Sequence, residues 1–161
     1  PVDTGGNMDP LLEKLLRAAE DPEPHVRMSA LESLKGLDAP QVRKAIEHMT
    51  ADVEPQIRAK AVDVLGRKAD KDSFRPLLNA LDDDEPHVRL TALKGLKRHI
   101  KAARSGKADW LDLDETGAAV ASLMDDMDPR LRSEAATIAG LLMKVRKVVE
   151  RKSRGPEDLD L

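Results

Sequence analysis

An acidic residue followed by proline and then by a helix-like pattern occurs four times in this sequence. The copies occupy residues 23–31, 54–62, 85–93 and 128–136, and their prolines lie at intervals of 31, 31 and 43 residues. A repeat at a nearly fixed period of this length is typical of proteins built from stacked helical units. The chain is therefore predicted to be a stack of similar helix pairs. The four prolines are Pro24, Pro55, Pro86 and Pro129.

Each position of the repeat has a physical role at the start of a helix. Proline suits the first helical position because its missing N–H would be unpaired there and its φ is already helical. The preceding acidic residue faces the positive end of the helix dipole. Val26, Ala30 and Leu34 are spaced four residues apart and are predicted to form one apolar stripe. Small residues that allow close helix approach recur once per copy, at Ala30, Ala61, Ala92 and Ala135.

An aspartate precedes an arginine by six residues in every copy. The pairs are Asp21 and Arg27, Asp52 and Arg58, Asp83 and Arg89, and Asp126 and Arg132. This pattern resembles HEAT and HEAT-like repeats, especially the short bacterial repeats also found in phycobilisome lyase-like proteins. The resemblance spans roughly residues 9–152 and implies that these side chains stack into a ladder between neighbouring repeats. One pair per repeat favours such a structural role over an anion site or a catalytic array.

The predicted fold is all-α, and the resemblance implies a right-handed α-α superhelix, a HEAT-like solenoid, of about four helical hairpins. A flexible N-terminus at residues 1–8 and a flexible acidic tail at residues 153–161 would flank a repeat domain at residues 9–152. The repeats would occupy about 9–38, 39–69, 70–103 and 112–152, with an inserted loop near 103–111. Trp110 and Leu111 are expected to fold back from this loop as an apolar plug. Pro76 is expected in the first turn of its helix.

The inserted loop has two interpretations that the sequence leaves open. Lengthening a surface loop costs little conformational entropy, so the insertion is compatible with an extension that has no function of its own. Insertions in repeat proteins also collect on binding faces, so a segment that contacts a partner is the second interpretation, ranked after the extension without a function.

Composition narrows the range of functions. The sequence has no cysteine, which excludes disulfides, zinc–thiolate sites and cysteine nucleophiles. The net charge is −3 and aromatic residues make up 1%, which weighs against a general attraction to phosphate and against a base-stacking surface. No apolar run approaches the ~20 residues of a membrane-spanning helix. The prediction is a cytoplasmic chain that makes no contact with a membrane.

No catalytic, metal or cofactor site is predicted. His25 and His87 occupy the same repeat position two repeats apart, which is too far for one metal ion to bridge. No glycine-rich phosphate loop or nucleophile elbow is present. The carboxylates recur along an edge instead of converging on a pocket. The chain is therefore predicted not to be an enzyme.

A row of partner-contacting residues is implied by the resemblance, because the second helix of each pair usually lines the concave face in HEAT-like proteins. The row mixes polarity and includes Met28 and Leu90, apolar side chains that a fully solvated surface does not need. The predicted contacts are His25, Met28, Ser29, Glu32, Gln56, Ala59, Lys60, Asp63, His87, Leu90, Thr91, Lys94, Arg130, Ser133, Glu134 and Thr137.

The leading hypothesis is a non-catalytic scaffold whose concave face binds another protein as a helix or an extended peptide. Two alternatives stay open. The basic residues of the last helix, Lys144, Lys147, Arg151 and Lys152, would suit a nucleic-acid backbone, although the net charge weighs against it. An accessory subunit or lyase-like protein is the other alternative, although no cysteine is present to hold a bilin.

Overall fold

The computed structural model describes residues 7–154, which form eight α-helices and no strand. The segments predicted to be flexible, residues 1–8 and 153–161, lie mostly outside these described residues. The helices are α1 (Pro10–Ala18), α2 (Pro24–Leu34), α3 (Pro40–Met49), α4 (Pro55–Lys68), α5 (Lys71–Ala80), α6 (Pro86–Arg104), α7 (Leu113–Leu123) and α8 (Pro129–Ser153).

Most of these helices begin at a proline, as the repeat pattern predicts. Two begin differently, since Asp70 caps α5 and Asp112 caps α7 with a side-chain carboxylate. The Asp70 cap starts α5 early enough that Pro76 is its sixth residue, so the prediction of a first-turn proline is wrong. Proline at that depth removes one helical hydrogen bond, since its nitrogen carries no hydrogen.

The helices pack as consecutive pairs stacked in one direction. Each odd-numbered helix contacts the even-numbered helix after it, and α2, α4, α6 and α8 also pack against one another in series. Two apolar clusters meet within α4, where Ile57, Ala61 and Leu65 join the first cluster and Ala59 and Val62 join the second. Each pair therefore seals the apolar side of its neighbour, and the prediction of an all-α HEAT-like solenoid is confirmed.

Helices α4 and α6 cross where Gly66 of one faces Gly95 of the other. A Cβ placed on Gly66 of α4 would lie 2.8 Å from the Cα of Gly95 on α6, and one placed on Gly95 would lie 2.9 Å from a methyl group of Leu77. Such distances leave no room for a side chain. The predicted small residues of the repeat are also buried, but the backbone-to-backbone approach occurs at these glycines.

The long interval between the third and fourth repeats is partly helical. The helix α6 continues to Arg104, and residues 105–112 connect it to α7. Leu111 is buried, and Trp110 packs half-buried with its ring centroid 5.8 Å from Phe74 and 5.6 Å from His99. His99 itself is fully buried, with Nδ1 3.0 Å from the Gly95 carbonyl oxygen. The connection thus covers the α5–α6 pair with apolar side chains.

The predicted apolar stripe of the first repeat is only partly buried. Val26 is 37% exposed, whereas Ile57, Val88 and Leu131 at the same repeat position are at most 2% exposed. In the later repeats this position packs under a preceding repeat, and α2 belongs to the first pair. The prediction for Val26 is therefore wrong because it treated the first repeat as an internal one.

Candidate functional site

A ladder of ion pairs joins successive repeats. The arginines of the first three repeats each hold the aspartate of the following repeat through Nε and Nη2, in the two-pronged geometry that a guanidinium favours. The Nε–Oδ2 and Nη2–Oδ1 distances are 2.7 and 2.9 Å for Arg27–Asp52, 2.8 and 2.9 Å for Arg58–Asp83, and 3.0 and 3.1 Å for Arg89–Asp126. The third nitrogen, Nη1, donates to two backbone carbonyls of the arginine's own repeat.

Each ladder aspartate also organises the turn in its own repeat. The Oδ1 of Asp52 accepts the backbone N–H of Glu54 at 2.9 Å, and that of Asp83 accepts the N–H of Glu85 at 3.0 Å. Burial alone would raise the pKa of Asp52, but the hydrogen bonds from Arg27 and from the Glu54 backbone outweigh it and hold the pKa below its usual value. The same balance lowers the pKa of Asp83.

The ladder ends differently at the two ends of the stack. Asp21 accepts the Glu23 N–H at 2.8 Å, and no arginine among the described residues contacts its carboxylate. Arg132 donates only to the backbone oxygens of Asp126 and Met127 within residues 7–154. The first aspartate and the last arginine therefore make the backbone hydrogen bonds within their own repeats but form no ion pair with a neighbouring repeat.

A parallel contact links two first helices. Arg43 of α3 donates to both carboxylate oxygens of Asp70, at 3.2 and 2.7 Å. Burial would raise the pKa of Asp70, but the hydrogen bonds from Arg43 and Ser73 lower it to about 2. The fold consequently relies on carboxylates that must be ionised at both the ladder and this contact.

We expect the stability of the protein to fall in acid. Because the pKa values of Asp52, Asp70 and Asp83 are lower in the fold than in the unfolded chain, their contribution is fully present above the ordinary carboxyl range. It is lost as the pH falls through the folded pKa, which is about 2 for Asp70. Thermal melting by circular dichroism should give a level Tm between about pH 7 and 5 and a falling Tm between about pH 4 and 2.

The variant Asp70→Asn provides the control for this acid dependence. It lacks one titrating carboxyl, so its Tm should fall less between neutral and acidic pH than that of the wild type. An equal fall in both proteins would contradict the assignment of Asp70 to this dependence.

A groove crosses the second helices α2, α4 and α6, and we call it the second-helix groove. It encloses about 600 Å³. Its lining residues are Met28, Glu32, Gln56, Ala59, Lys60, Asp63, Arg67, His87, Thr91, Lys94 and Arg98. A smaller groove of about 460 Å³ continues toward α8. It is lined by Leu90, Lys94, Pro129, Arg130, Ser133 and Glu134, so Lys94 belongs to both.

The structure brings most of the predicted contact row together in these two grooves. His25, Ser29 and Thr137 are exposed on the same helices but line neither groove. Ala59 is 5% exposed and packs in the core, so it forms the groove floor and offers a partner almost no surface. Ala59 was predicted to be a surface position because α4 was expected to expose the same face as α2. Met28 and Leu90 are half-buried, since each also packs against the core.

Two groove residues, Arg67 and Arg98, were missed by the sequence analysis. They lie one helical turn beyond Asp63 and Lys94, at the same position in successive repeats. The predicted row stopped one turn too early in α4 and α6, which are both longer than α2. The periodicity of a helix would have extended the row to these arginines.

The acids of the grooves already have basic partners. Glu32 accepts a hydrogen bond from Lys35 and is paired with Lys60 at 2.7 Å, and these contacts lower its pKa to about 2. Asp63 pairs with Arg67 at 2.9 Å. Glu134 pairs with Lys97, also at 2.9 Å. The negative charge of this surface is therefore neutralised within the protein.

Other candidate chemistry is not assembled in the described part of the chain. Residues 7–154 contain no group of three or more His, Cys, Asp or Glu side chains placed to hold a metal ion. Within the same residues, no helix combines the length and apolar character that crossing a membrane requires. Lys144, Lys147, Arg151 and Lys152 are exposed on α8, away from both grooves.

Comparison with known proteins identifies the repeat. A family model described as HEAT repeats matches residues 42–113, and a model described as HEAT repeat matches residues 11–37. Together these matches span more than half of the chain. No curated protein sequence matches it.

A solved structure shares the fold. The crystal structure of Cex1p superposes with a TM-score of 0.66 at 16% sequence identity, over 89% of this chain. The chain spans only 29% of the length of that protein, so the likeness concerns the architecture. The family-model matches, the stacked helix pairs and the Asp–Arg ladder agree, and the chain belongs to the HEAT repeat family.

Proposed function

We propose that this chain is a non-catalytic scaffold module that binds a partner protein in the second-helix groove. HEAT repeats generally mediate protein–protein interaction as scaffolds, which supports the class of function. The observation that carries the proposal is the groove itself, which is continuous across three repeats and mixes polar side chains with Met28. The proposal includes a cytoplasmic setting, consistent with the absence of cysteine from the sequence.

The rigidity of the groove favours binding. Its side chains project from helices that the Asp–Arg ladder and the Gly66–Gly95 crossing hold in register. A surface that is already ordered loses little conformational entropy when a helix or an extended peptide docks on it. Half-buried apolar groups beside charged ones also give a partner both contact area and orientation.

Site-specific photocrosslinking in a lysate of the native host tests this function. A photoreactive residue at Gln56, exposed in the groove, should capture a defined partner protein. The same residue at Lys44, exposed on α3 on the first-helix side, should not capture it. Once purified, that partner should bind Gln56→Trp about tenfold more weakly than wild type by calorimetry, because the indole occupies the groove. Capture at Lys44 alone, or equal affinity for the variant, would contradict the proposal.

A further inference from the structure

Two cations stand in the second-helix groove without an acidic partner. Lys94 and Arg98 lie one turn apart on α6 and line the groove together. Neither forms an ion pair with any carboxylate in residues 7–154, whereas Lys60, Arg67 and Lys97 beside them all do. The surplus charge of the groove is therefore positive and is confined to α6.

Arg98 has an unmet hydrogen-bonding requirement. Its Nη1 is buried and has no hydrogen-bond partner within the described chain, and it lies close to Gly66 of the neighbouring helix. Nη1 itself is enclosed by the protein, so a ligand in the groove would contact the remaining guanidinium N–H groups of Arg98, which lines the groove. A carboxylate suits a guanidinium best, because it accepts two parallel hydrogen bonds.

The groove also has apolar surface near these cations. Met28 lines one end, and Leu90 lies beside Lys94 in the smaller groove toward α8. A partner that matched both features would carry carboxylates in its centre and apolar side chains on either side. An amphipathic helix or an extended segment of a protein can present that pattern.

We propose that the second-helix groove selects an acidic peptide segment, whose carboxylates pair with Lys94 and Arg98 while flanking apolar side chains contact Met28 and Leu90. This inference rests on the proposed function, because it names the partner class for the same groove. A nucleic-acid backbone fits less well, because the positive charge without an acidic partner is confined to these two side chains. A continuous run of phosphates calls for a longer row of cations, whereas a peptide can present only two carboxylates.

Fluorescence anisotropy with designed peptides tests the selection. The probe is a short labelled peptide that carries two glutamates in its centre and leucines on either side of them. Its matched control carries glutamine in place of each glutamate. At low salt the full chain should bind the glutamate peptide about tenfold more tightly than the glutamine peptide. The preference should shrink as salt is added, because the attraction is between charges.

Paired variants locate the preference. Lys94→Gln with Arg98→Gln should abolish the preference for glutamate, whereas Lys144→Gln with Lys147→Gln on α8 should keep it. Both double variants remove two positive charges, so a general effect of net charge would weaken them equally and would overturn the proposal. Circular dichroism melts confirm that both double variants are folded before binding is compared.

Three further outcomes separate this proposal from the proposed function. Equal binding of the glutamate and glutamine peptides, or no binding of either, refutes acidic selection. Photocrosslinking at Gln56 would still support a protein-binding groove in either case. If duplex DNA displaces the glutamate peptide at a lower concentration than unlabelled peptide does, Lys94 and Arg98 bind a nucleic-acid backbone in preference to a peptide. In that case the proposal fails.

Discussion

Replacing Asp83 with alanine is expected to lower the free energy of unfolding by about 3 kcal/mol. Asp83 accepts two hydrogen bonds from Arg58 of the preceding repeat and one from the Glu85 backbone. The side chains of Arg58 and Asp83 are only 16% and 11% exposed, so the substitution leaves a largely buried guanidinium without its counter-charge. Denaturant unfolding followed by circular dichroism, and by the fluorescence of the single tryptophan, Trp110, measures the loss.

Asp21→Ala is the matched control for this substitution. Asp21 accepts the Glu23 N–H as Asp83 accepts that of Glu85, but no arginine among residues 7–154 pairs with it. Its replacement should cost about 1 kcal/mol, the usual net value of one lost hydrogen bond. The difference between the two losses in free energy of unfolding measures how much the inter-repeat ion pair contributes to stability. Equal losses would mean that the Arg58–Asp83 pair adds no stability beyond that of the hydrogen bond in the turn.

Adding one methyl group at Gly66 should also destabilise the protein strongly. The Cβ of alanine would lie 2.8 Å from the Gly95 Cα, a contact that only separation of α4 and α6 can relieve. Alanine is the better helix former by about 1 kcal/mol, yet overpacking of a rigid crossing costs more. We expect Gly66→Ala to lower the free energy of unfolding by about 2 kcal/mol, measured by the same denaturant titration.

The same substitution at Gly140 should have the opposite sign. Gly140 lies within α8, and a Cβ at this position meets nothing within 4 Å. Only the helix propensity changes there, so Gly140→Ala should raise the free energy of unfolding by roughly 0.5–1 kcal/mol. Stabilisation by Gly66→Ala as well would show that α4 and α6 separate freely at their crossing.

The candidate site could be predicted from sequence only as far as helical periodicity reaches. Counting along each second helix found Glu32, Lys60 and Lys94, because the repeat places them on one face. It did not reveal that Glu32 and Lys60 neutralise each other, since they belong to different repeats. The charge that remains available to a partner, on Lys94 and Arg98, is therefore a property of the assembled stack.

The sequence by itself determined the helix pairs and their repetition. Proline at the first helical position, an aspartate two residues before the acidic residue and an apolar stripe all act within a few residues, so one repeat specifies them. Because the pattern recurs, it also specifies that the pairs stack. The HEAT family and the all-α fold follow from these local signals.

Only the tertiary structure decided how neighbouring repeats meet. The resemblance implies a ladder between repeats, but the six-residue spacing of Asp52 and Arg58 does not say which atoms meet. In the structure Arg58 holds the carboxylate of Asp83 in the next repeat and the backbone oxygen of Asp52 in its own. The crossing of Gly66 with Gly95, the burial of His99 and the exposure of Val26 likewise depend on which helix lies alongside. Contacts between repeats depend on the distance and angle between helices, and those quantities are fixed by packing across the whole stack.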